Sequence, residues 1–285
     1  MKKTWTLLDL AVSVTAGIPW MGLRTHQGPV LYVNFEVAEP FFTDRLRTVA
    51  AARGIEIPDG FHVWNLRGMA TNADNLPPRL AKEMQGLKPV LIIIDPIYKL
   101  MGGTAENDAA AVTALCNQIE ILAISTGAAV VFAAHFSKGN QASKDALDRI
   151  SGSGVFARDP DAILIMTKHS EDGCLTVETI LRNCPEMPSF VVEWSYPLMI
   201  RREDLDPAEL KVAPGPGQKA SSFSANDLFE VLDVGQTIKP TAWQRLSQES
   251  IGIGPTRFWE IISSLRVKGS PKISHTKENG WTRLA

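Results

Sequence analysis

Three polar residues each follow a run of apolar residues in this sequence. Glu36 comes just after V-L-Y-V-N-F, Asp95 after V-L-I-I-I, and His135 after A-A-V-V-F-A-A. Two carboxylates and an imidazole can hold a divalent cation through water, orient a water molecule and exchange protons. One such residue alone could simply cap the turn that follows it. Three residues in the same relation to an apolar run favour a functional site.

The apolar runs also predict the elements that position these residues. Residues 90–94 are apolar without alternation and have a proline on each side. Such a run is typical of a strand buried on both faces of a parallel sheet. Helical segments separate it from the other runs, so the sequence predicts an α/β fold with a mostly parallel sheet flanked by helices. Because ligands bind at the carboxyl ends of such strands, we expect Glu36, Asp95 and His135 to lie close together.

The chain opens at the start of a helix, with Lys3-Thr4 followed by W-T-L-L-D-L-A-V-S-V. This pair resembles the last two residues of a P-loop, in which the lysine neutralises the β- and γ-phosphates of ATP and the hydroxyl binds Mg²⁺. In such a site Asp95 would hold the Mg²⁺ through water, and Glu36 would polarise the attacking water. His135 could sense the γ-phosphate.

Composition sets the remaining bounds. The chain has 285 residues and is 45% hydrophobic, with 29 Lys and Arg against 31 Asp and Glu. The chain is therefore long and apolar enough to bury a large core. It lacks the overall basic charge that is typical of nucleic-acid-binding proteins. Its three cysteines lack the spacing of a disulfide framework or a zinc site. No apolar run is long enough for a membrane span, so we expect a cytoplasmic soluble protein.

The C-terminal part has a different character. Residues 205–222 are rich in Pro, Gly and Ser and indicate a linker between a core of residues 1–204 and a domain of residues 223–285. Three short helical segments and a hairpin with an Asn-Gly turn predict a winged helix there. From Lys219 onward nine basic residues stand against six acidic ones. Arg257 and Lys268 are candidates for DNA-backbone contacts, although these charges could also form an ordinary solvated face.

Five segments resemble the RepA-type branch of the RecA-like ATPases. They read K-T-W-T-L-L-D-L-A-V-S-V-T-A-G, V-L-Y-V-N-F-E, L-I-I-I-D-P-I, A-A-H-F-S-K-G and S-G-S-G-V-F-A-R-D-P-D-A. The likeness runs from about Lys2 to Trp194. That branch contains hexameric replicative helicases of plasmids and phages. The resemblance implies a ring, with six subunits as the expected number, ATP at the subunit interfaces and single-stranded DNA in the central channel.

The resemblance also assigns roles by position. Lys3, Thr4, Glu36, Asp95 and His135 take the nucleotide-site roles given above. Two further residues, Lys138 and Arg158, are candidate cations that act across a subunit boundary. Arg158 could instead pair with its acidic neighbours. The segment 137–150 falls where the family's channel loops contact DNA, which makes three residues in it candidates for that contact: Lys138, Lys144 and Arg149.

One departure from the family pattern bears on activity. The family's P-loop reads G-x-x-x-x-G-K-T after a buried strand, whereas this sequence begins M-K-K-T. Glycine amides form the phosphate cradle, so we expect the printed polypeptide to bind ATP poorly. A segment preceding the printed sequence would supply the cradle. Otherwise the chain is a catalytically inactive DNA-binding or loading subunit. A RecA-like recombination or regulatory ATPase is a further alternative.

Overall fold

The computed structural model describes residues 2–69, 84, 86–101, 108–134, 155–211, 223, 225–268, 273–276 and 280–284. The chain divides into two compact units, Met1–Ala213 and Pro214–Ala285. The sequence also predicts a helix over residues 72–85, of which the structure describes only residue 84. The polar segment 137–150 lies outside the described residues.

The first unit contains a four-stranded parallel sheet. Its strands are β1 (Val30–Asn34), β2 (Phe61–Asn65), β3 (Leu91–Asp95) and β4 (Ala129–Phe132), in the order β2-β1-β3-β4. Every residue of β1 and β3 is buried, as the uninterrupted apolar runs predict. The carboxyl ends of all four strands therefore lie at one edge of the sheet.

Helices cover both faces of this sheet, which confirms the predicted α/β architecture. Apolar residues of α1 (Lys3–Ala16) and α2 (Glu39–Ala52) pack with Tyr32 and Ile93 on one face. A longer helix, α3 (Ala109–Thr126), packs on the other face, where Ile92 and Ile94 point. A short 3₁₀ helix, Ile97–Met101, follows β3 on that second face.

By length and composition, α3 is the one helix among the described residues that could cross a membrane, and a single such helix is weak evidence. This differs from the expectation that no segment has that character. Polar residues interrupt the apolar run, so a search for unbroken apolar stretches passes over it. Val112, Leu115 and Leu122 of this helix are buried in the core of the first unit.

The remaining strands of the first unit form a separate antiparallel sheet. A one-turn helix, α4 (Val155–Arg158), precedes β5 (Ala162–Lys168), β6 (Cys174–Leu181), β7 (Phe190–Ser195) and β8 (Leu198–Arg202), which lie in that order. From sequence, residues 175–181 and 189–194 predict hairpin-like strands added at the edge of the parallel sheet. They pair instead with β5 and with the unpredicted β8.

The described part of the predicted linker contacts this antiparallel sheet. His169 forms an isolated antiparallel bridge with Leu210, and the Lys211 amide donates to the carbonyl of Lys168. The hydroxyl of Thr176 donates to the carbonyl of Pro207. Residues 207–211 are therefore held by the first unit.

The second unit contains three helices and a small antiparallel sheet among its described residues. The helices are α5 (Ala225–Glu230), α6 (Pro240–Ile251) and α7 (Pro255–Lys268). The strands β9 (Thr237–Ile238), β10 (Ile273–Thr276) and β11 (Gly280–Arg283) pair in the order β10-β11-β9. The helices and the paired strands lie where the sequence places them, whereas β9 was not predicted. The winged-helix assignment itself stays a prediction.

A separate hydrophobic core holds the second unit together. Trp243 is fully buried at its centre, within 6.5 Å ring-centroid distance of Phe229, Phe258 and Trp281. Its indole N–H donates to the carbonyl of Leu228, which satisfies the one polar atom of this large side chain.

Candidate active site

Asp95 is the centre of the candidate site. It is the last residue of β3, and its side chain is buried. The hydroxyl of Tyr32, on the neighbouring strand β1, donates a hydrogen bond of 2.8 Å to Oδ2 of Asp95. The hydroxyl of Thr4 donates a second hydrogen bond to the same side chain. A buried carboxylate is thus held by two hydroxyl groups from two different elements.

The pKa of Asp95 is raised, chiefly because burial penalises its charged form. The hydrogen bonds from Tyr32 and Thr4 and the charge of Lys3 act in the opposite direction, while the negative charge of Glu36 adds to the rise. Lys3, Thr4 and Glu36 therefore each lie within interaction range of Asp95, at the edge where the sequence predicts strand-end and helix-start residues to meet.

The first turn of α1 brings a positive charge to the same edge of the sheet. Nζ of Lys3 donates a hydrogen bond of 2.9 Å to the carbonyl oxygen of Ala134, just beyond β4. The helix has no side-chain cap at its N-terminus. Helix N-termini attract anions because their first amides lack partners and the helix dipole is positive there. The start of α1 is accordingly suited to an anionic ligand.

Glu36 lies two residues beyond β1 and is exposed. Its position is fixed by Asn34, whose Oδ1 accepts from the amides of Glu36 at 3.3 Å and Val37 at 3.0 Å. Nδ2 of Asn34 donates to the carbonyl of Val37 and to Oδ1 of Asn65. The exposed carboxylate is therefore carried on a turn that the buried amide organises.

The sequence analysis missed Tyr32, Asn34 and Asn65. In the register of the sheet, Asn34 lies opposite both Asn65 and Asp95. A polar residue at the end of an otherwise apolar run was the available signal for Asn34. No comparable signal marks Tyr32, because a tyrosine in a strand is ordinarily a core residue.

Tyr32 is suited to the role of a permanent donor. Its pKa is raised well above the ordinary value, first by burial and then by the negative charge of Asp95, with Arg45 acting in the opposite direction. Its ring also packs edge-to-face on Phe42 at 4.9 Å. The hydroxyl therefore keeps its proton and its position.

Arg158 is exposed at the end of α4, and the described residues show no ion pair to its guanidinium. The local pairing considered from sequence does not form there, because its acidic neighbours have other partners. Asp159 hydrogen-bonds Cys116, and Asp161 accepts from Asn183. Burial and Asp159 together raise the pKa of the Cys116 thiol to about 12, so this thiol stays protonated.

Four predicted site residues cannot be placed. They lie outside the described residues: His135, Lys138, Lys144 and Arg149. In the second unit, the guanidinium of Arg257 already forms hydrogen bonds within the fold. It donates to the carbonyl of Phe223 and to Oε2 of Glu260. Lys268 is the last residue of α7.

The hydroxyl and carboxylate at this edge fit a magnesium ion. Mg²⁺ prefers oxygen ligands and is commonly held by one or two protein groups together with water and phosphate oxygens. Thr4 and Asp95 supply such a pair. The described residues contain no cluster of three or more His, Cys, Asp or Glu that could hold a metal alone. A metal here would therefore depend on ligands from a bound phosphate and water.

This combination of an ammonium, a hydroxyl and two carboxylates at the carboxyl edge of a parallel sheet agrees with the family comparison. Residues 2–141 match the family model of an AAA domain. The match supports a P-loop NTPase. The AAA domain match includes α1 and the strands β1 to β4, and with them Lys3, Thr4, Glu36 and Asp95. It does not specify the RepA-type branch. No curated protein matches the chain.

Proposed function

We propose that this protein is an ATPase that couples hydrolysis of ATP to translocation along single-stranded DNA, as a helicase or helicase-like replication ATPase of plasmid or phage type. The assignment of ATP hydrolysis rests on the buried Asp95, which accepts a hydrogen bond from the Thr4 hydroxyl at the start of α1. Glu36 follows the adjacent strand β1. The AAA domain match over residues 2–141 supports nucleotide hydrolysis independently.

Lys3 and Thr4 receive the phosphates in this proposal. Nζ of Lys3 donates a hydrogen bond to the backbone carbonyl of Ala134, and a phosphate oxygen is a stronger, charged acceptor for the same ammonium. Thr4 and Asp95 would hold Mg²⁺, which when bound neutralises charge on the phosphate oxygens. The proposal is supported by the position of these side chains near Asp95, at one edge of the sheet.

The burial of Asp95 favours cation binding. Burial leaves the negative charge of Asp95 poorly solvated and raises its pKa. A divalent cation held by Asp95 would compensate that charge, so this carboxylate would gain more from the cation than an exposed carboxylate would. Tyr32 orients the carboxylate from the other side.

Glu36 orients or deprotonates the attacking water. It is exposed, unlike Asp95, and therefore accessible to a water molecule beside a bound phosphate. The turn held by Asn34 fixes the backbone of Glu36 relative to the end of β3. Positioning a water molecule of this kind is the main task that phosphoryl transfer leaves to the protein.

The coupling to DNA is supported by the resemblance to the RepA-type helicases and by the basic excess of the C-terminal residues. The proposal includes a homo-oligomeric ring, with six subunits as the expected number, located in the cytoplasm and without a membrane partner. His135 would sense the γ-phosphate, and Arg158 would act across a subunit boundary to stabilise charge in the transition state. DNA would contact channel residues Lys138, Lys144 and Arg149 and Lys268 of the C-terminal unit.

A second candidate function is a DNA-binding or loading subunit without catalysis. The observation that favours it is the C-terminal unit, which has its own core and carries nine basic against six acidic residues from Lys219 onward. A RecA-like ATPase of recombination or regulation, without unwinding activity, is the remaining alternative.

One experiment separates these functions. Phosphate release from Mg-ATP and unwinding of a forked duplex are measured for this chain and for a version extended upstream. Unwinding that requires ATP and weakens with salt supports the helicase. ATP hydrolysis without unwinding supports the recombination or regulatory ATPase. DNA binding with neither activity in either version supports the loading subunit and contradicts the enzyme.

A further inference from the structure

The chain that leads into the second unit is first fastened to the antiparallel sheet. We call residues 206–211 the strap. The amide of Lys211 donates to the carbonyl of Lys168 at 2.8 Å. In the opposite direction, the amide of Ser170 donates to the carbonyl of Glu209 at 2.8 Å. The strap therefore pairs with the residues at and just beyond the end of β5, as a short added strand would.

Polar side chains are buried where the strap meets the sheet. His169 and Thr176 are almost fully buried, and so is Thr167, which lies opposite Thr176 in the register of β5 and β6. The Thr176 hydroxyl donates to the carbonyl of Pro207 at 3.0 Å. The His169 ring bonds the carbonyl of Asp206 at 2.9 Å. The strap thus supplies backbone acceptors to side chains that are shielded from water.

The contacts of His169 require a neutral ring with its proton on Nε2. Nε2 lies 2.9 Å from the carbonyl oxygen of Asp206, which can only accept, so Nε2 donates. Nδ1 lies 2.9 Å from the amide nitrogen of Glu171, which can only donate, so Nδ1 accepts. A second ring proton would sit on Nδ1 and face the Glu171 N–H. The bound strap therefore excludes the charged imidazolium, which burial also disfavours.

The charged groups around the ring favour its protonation once the ring is released. The ionisable residues lie on its own turn, on the strap and on the neighbouring strands: Lys168, Glu171, Asp172, Cys174, Glu193, Arg202, Asp206, Glu209 and Lys211. The Cys174 thiol stays neutral, since burial and then Glu193 raise its pKa. Arg202 is paired with Glu193, and Lys211 with Asp172. Residues 168–172 and the strap together carry four carboxylates against two ammonium groups, so a released ring attracts a proton.

We propose that His169 is a pH-operated latch for the strap. Its neutral ring holds the strap on the sheet, and its protonation releases residues 206–211. Because the released state binds one more proton than the latched state, falling pH favours release by up to about tenfold per pH unit. Histidine side chains ordinarily change charge between about pH 5 and 8, so the latch is suited to that range. Release lengthens the chain that connects the two units, and it requires no nucleotide, so the proposal is independent of the proposed function.

The test is amide hydrogen exchange of the full chain, followed by NMR and corrected for the intrinsic effect of pH on exchange. From about pH 7.5 to about pH 5.5, protection of the Lys211 and Ser170 amides should fall at least about tenfold in wild type. The amides paired between β6 and β7 are the internal reference and should stay protected. His169→Gln should abolish the pH dependence, because its amide can donate to the Asp206 carbonyl and cannot gain a proton. The matched control is His62→Gln, at an exposed histidine on β2, which should keep the wild-type pH dependence.

The ring itself gives a second measurement, which remains decisive if His169→Gln loosens the strap at every pH. Nitrogen chemical shifts should show His169 as the Nε2–H tautomer at neutral pH. They should show Nδ1 gaining a proton over the same pH range in which the Lys211 amide loses protection. Protection that stays constant with pH, or a doubly protonated ring beneath a protected strap, would overturn the proposal. An equal pH-dependent loss in His169→Gln and wild type would also overturn it, and would assign the effect to the carboxylates of Asp172 and Glu209.

Discussion

The hydroxyl of Tyr32 on β1 donates a 2.8 Å hydrogen bond to Oδ2 of Asp95 at the end of β3. Both residues lie on the face of the sheet that α1 covers, where the Thr4 hydroxyl reaches the same carboxylate. Even with these two donors, burial leaves the pKa of Asp95 raised. The ligand-free protein therefore carries a charge that its fold does not fully stabilise.

This relationship predicts that Asp95→Asn stabilises the ligand-free protein at neutral pH. The folded-state pKa of Asp95 lies above the unfolded value, so the protonated side chain favours the folded state. This contribution to stability is present at acid pH and is lost as pH rises through the folded pKa. Thermal unfolding should show the variant melting above wild type at neutral pH and level with it in acid. Asp44→Asn, at an exposed carboxylate, is the control and should not change the melting temperature. A variant less stable than wild type at neutral pH would contradict the prediction.

The ion pair between Asp9 and Arg53 joins α1 to the C-terminal end of α2. It is bidentate, with N–O distances of 2.6 and 2.7 Å, and the Asp9 side chain is 1% exposed. Arg53→Ala should lower the free energy of unfolding by about 3 kcal/mol, because it leaves a buried carboxylate without its partner. Arg47→Ala, at an exposed pair with Asp44, should change it by less than about 1 kcal/mol.

The loss in Arg53→Ala should also depend on pH. Burial raises the pKa of Asp9, while the hydrogen bonds and charge of Arg53 lower it. Without Arg53 the pKa rises further, so the destabilisation should be greatest at neutral pH and should shrink in acid as Asp9 is protonated. Chemical denaturation across pH measures this. A loss of stability that is constant with pH, or not reduced by adding Asp9→Asn, would contradict the account.

Asn34 is predicted to act on catalysis through the position of Glu36. Asn34→Ala removes four hydrogen bonds that organise the turn after β1. We expect kcat for ATP hydrolysis to fall at least about tenfold, because the water-orienting carboxylate is no longer fixed. Binding of Mg-ATP should change little. Steady-state kinetics and calorimetry measure the two quantities. A weaker binding constant with unchanged kcat would assign Asn34 to the nucleotide instead.

Much of the first unit could be predicted from the sequence. The uninterrupted apolar runs identified β1 and β3, and the strand-end rule brought Glu36 and Asp95 to one edge of the sheet. The Tyr32–Asp95 bond could not be predicted, because it depends on the register in which Asn34 faces Asp95. Register is set by packing between elements distant in sequence.

The remaining differences have similar causes. The strand β9 has two residues and is defined only by its pairing with β11, so it leaves no periodic signal in the sequence. The separate antiparallel sheet depends on β8, which follows β7 through a tight turn. The sequence predicts a DNA contact for the guanidinium of Arg257, whereas the structure shows it donating a hydrogen bond to the carbonyl of Phe223. The two residues are 34 positions apart, so composition cannot reveal this contact.

Arg257 and Lys268 should therefore behave differently when substituted. Arg257→Ala should destabilise the second unit by about 1–2 kcal/mol, because its guanidinium bonds a backbone carbonyl and Glu260. Lys268→Ala should weaken DNA binding and reduce the salt dependence of that binding by about one phosphate contact. Thermal unfolding and DNA titrations at several salt concentrations distinguish these effects. Unchanged DNA affinity in Lys268→Ala would contradict its proposed role.

The central claim is that Lys3, Thr4, Glu36 and Asp95 form a site that hydrolyses Mg-ATP. The most direct test is phosphate release by wild type and by Glu36→Gln, each as this chain and as a version extended upstream, at Mg-ATP concentrations that saturate binding. The account predicts hydrolysis by wild type and a loss of at least about a hundredfold in Glu36→Gln, since the substituted amide cannot accept a proton from water. Absence of hydrolysis in wild type, or an equal rate in Glu36→Gln, would contradict it.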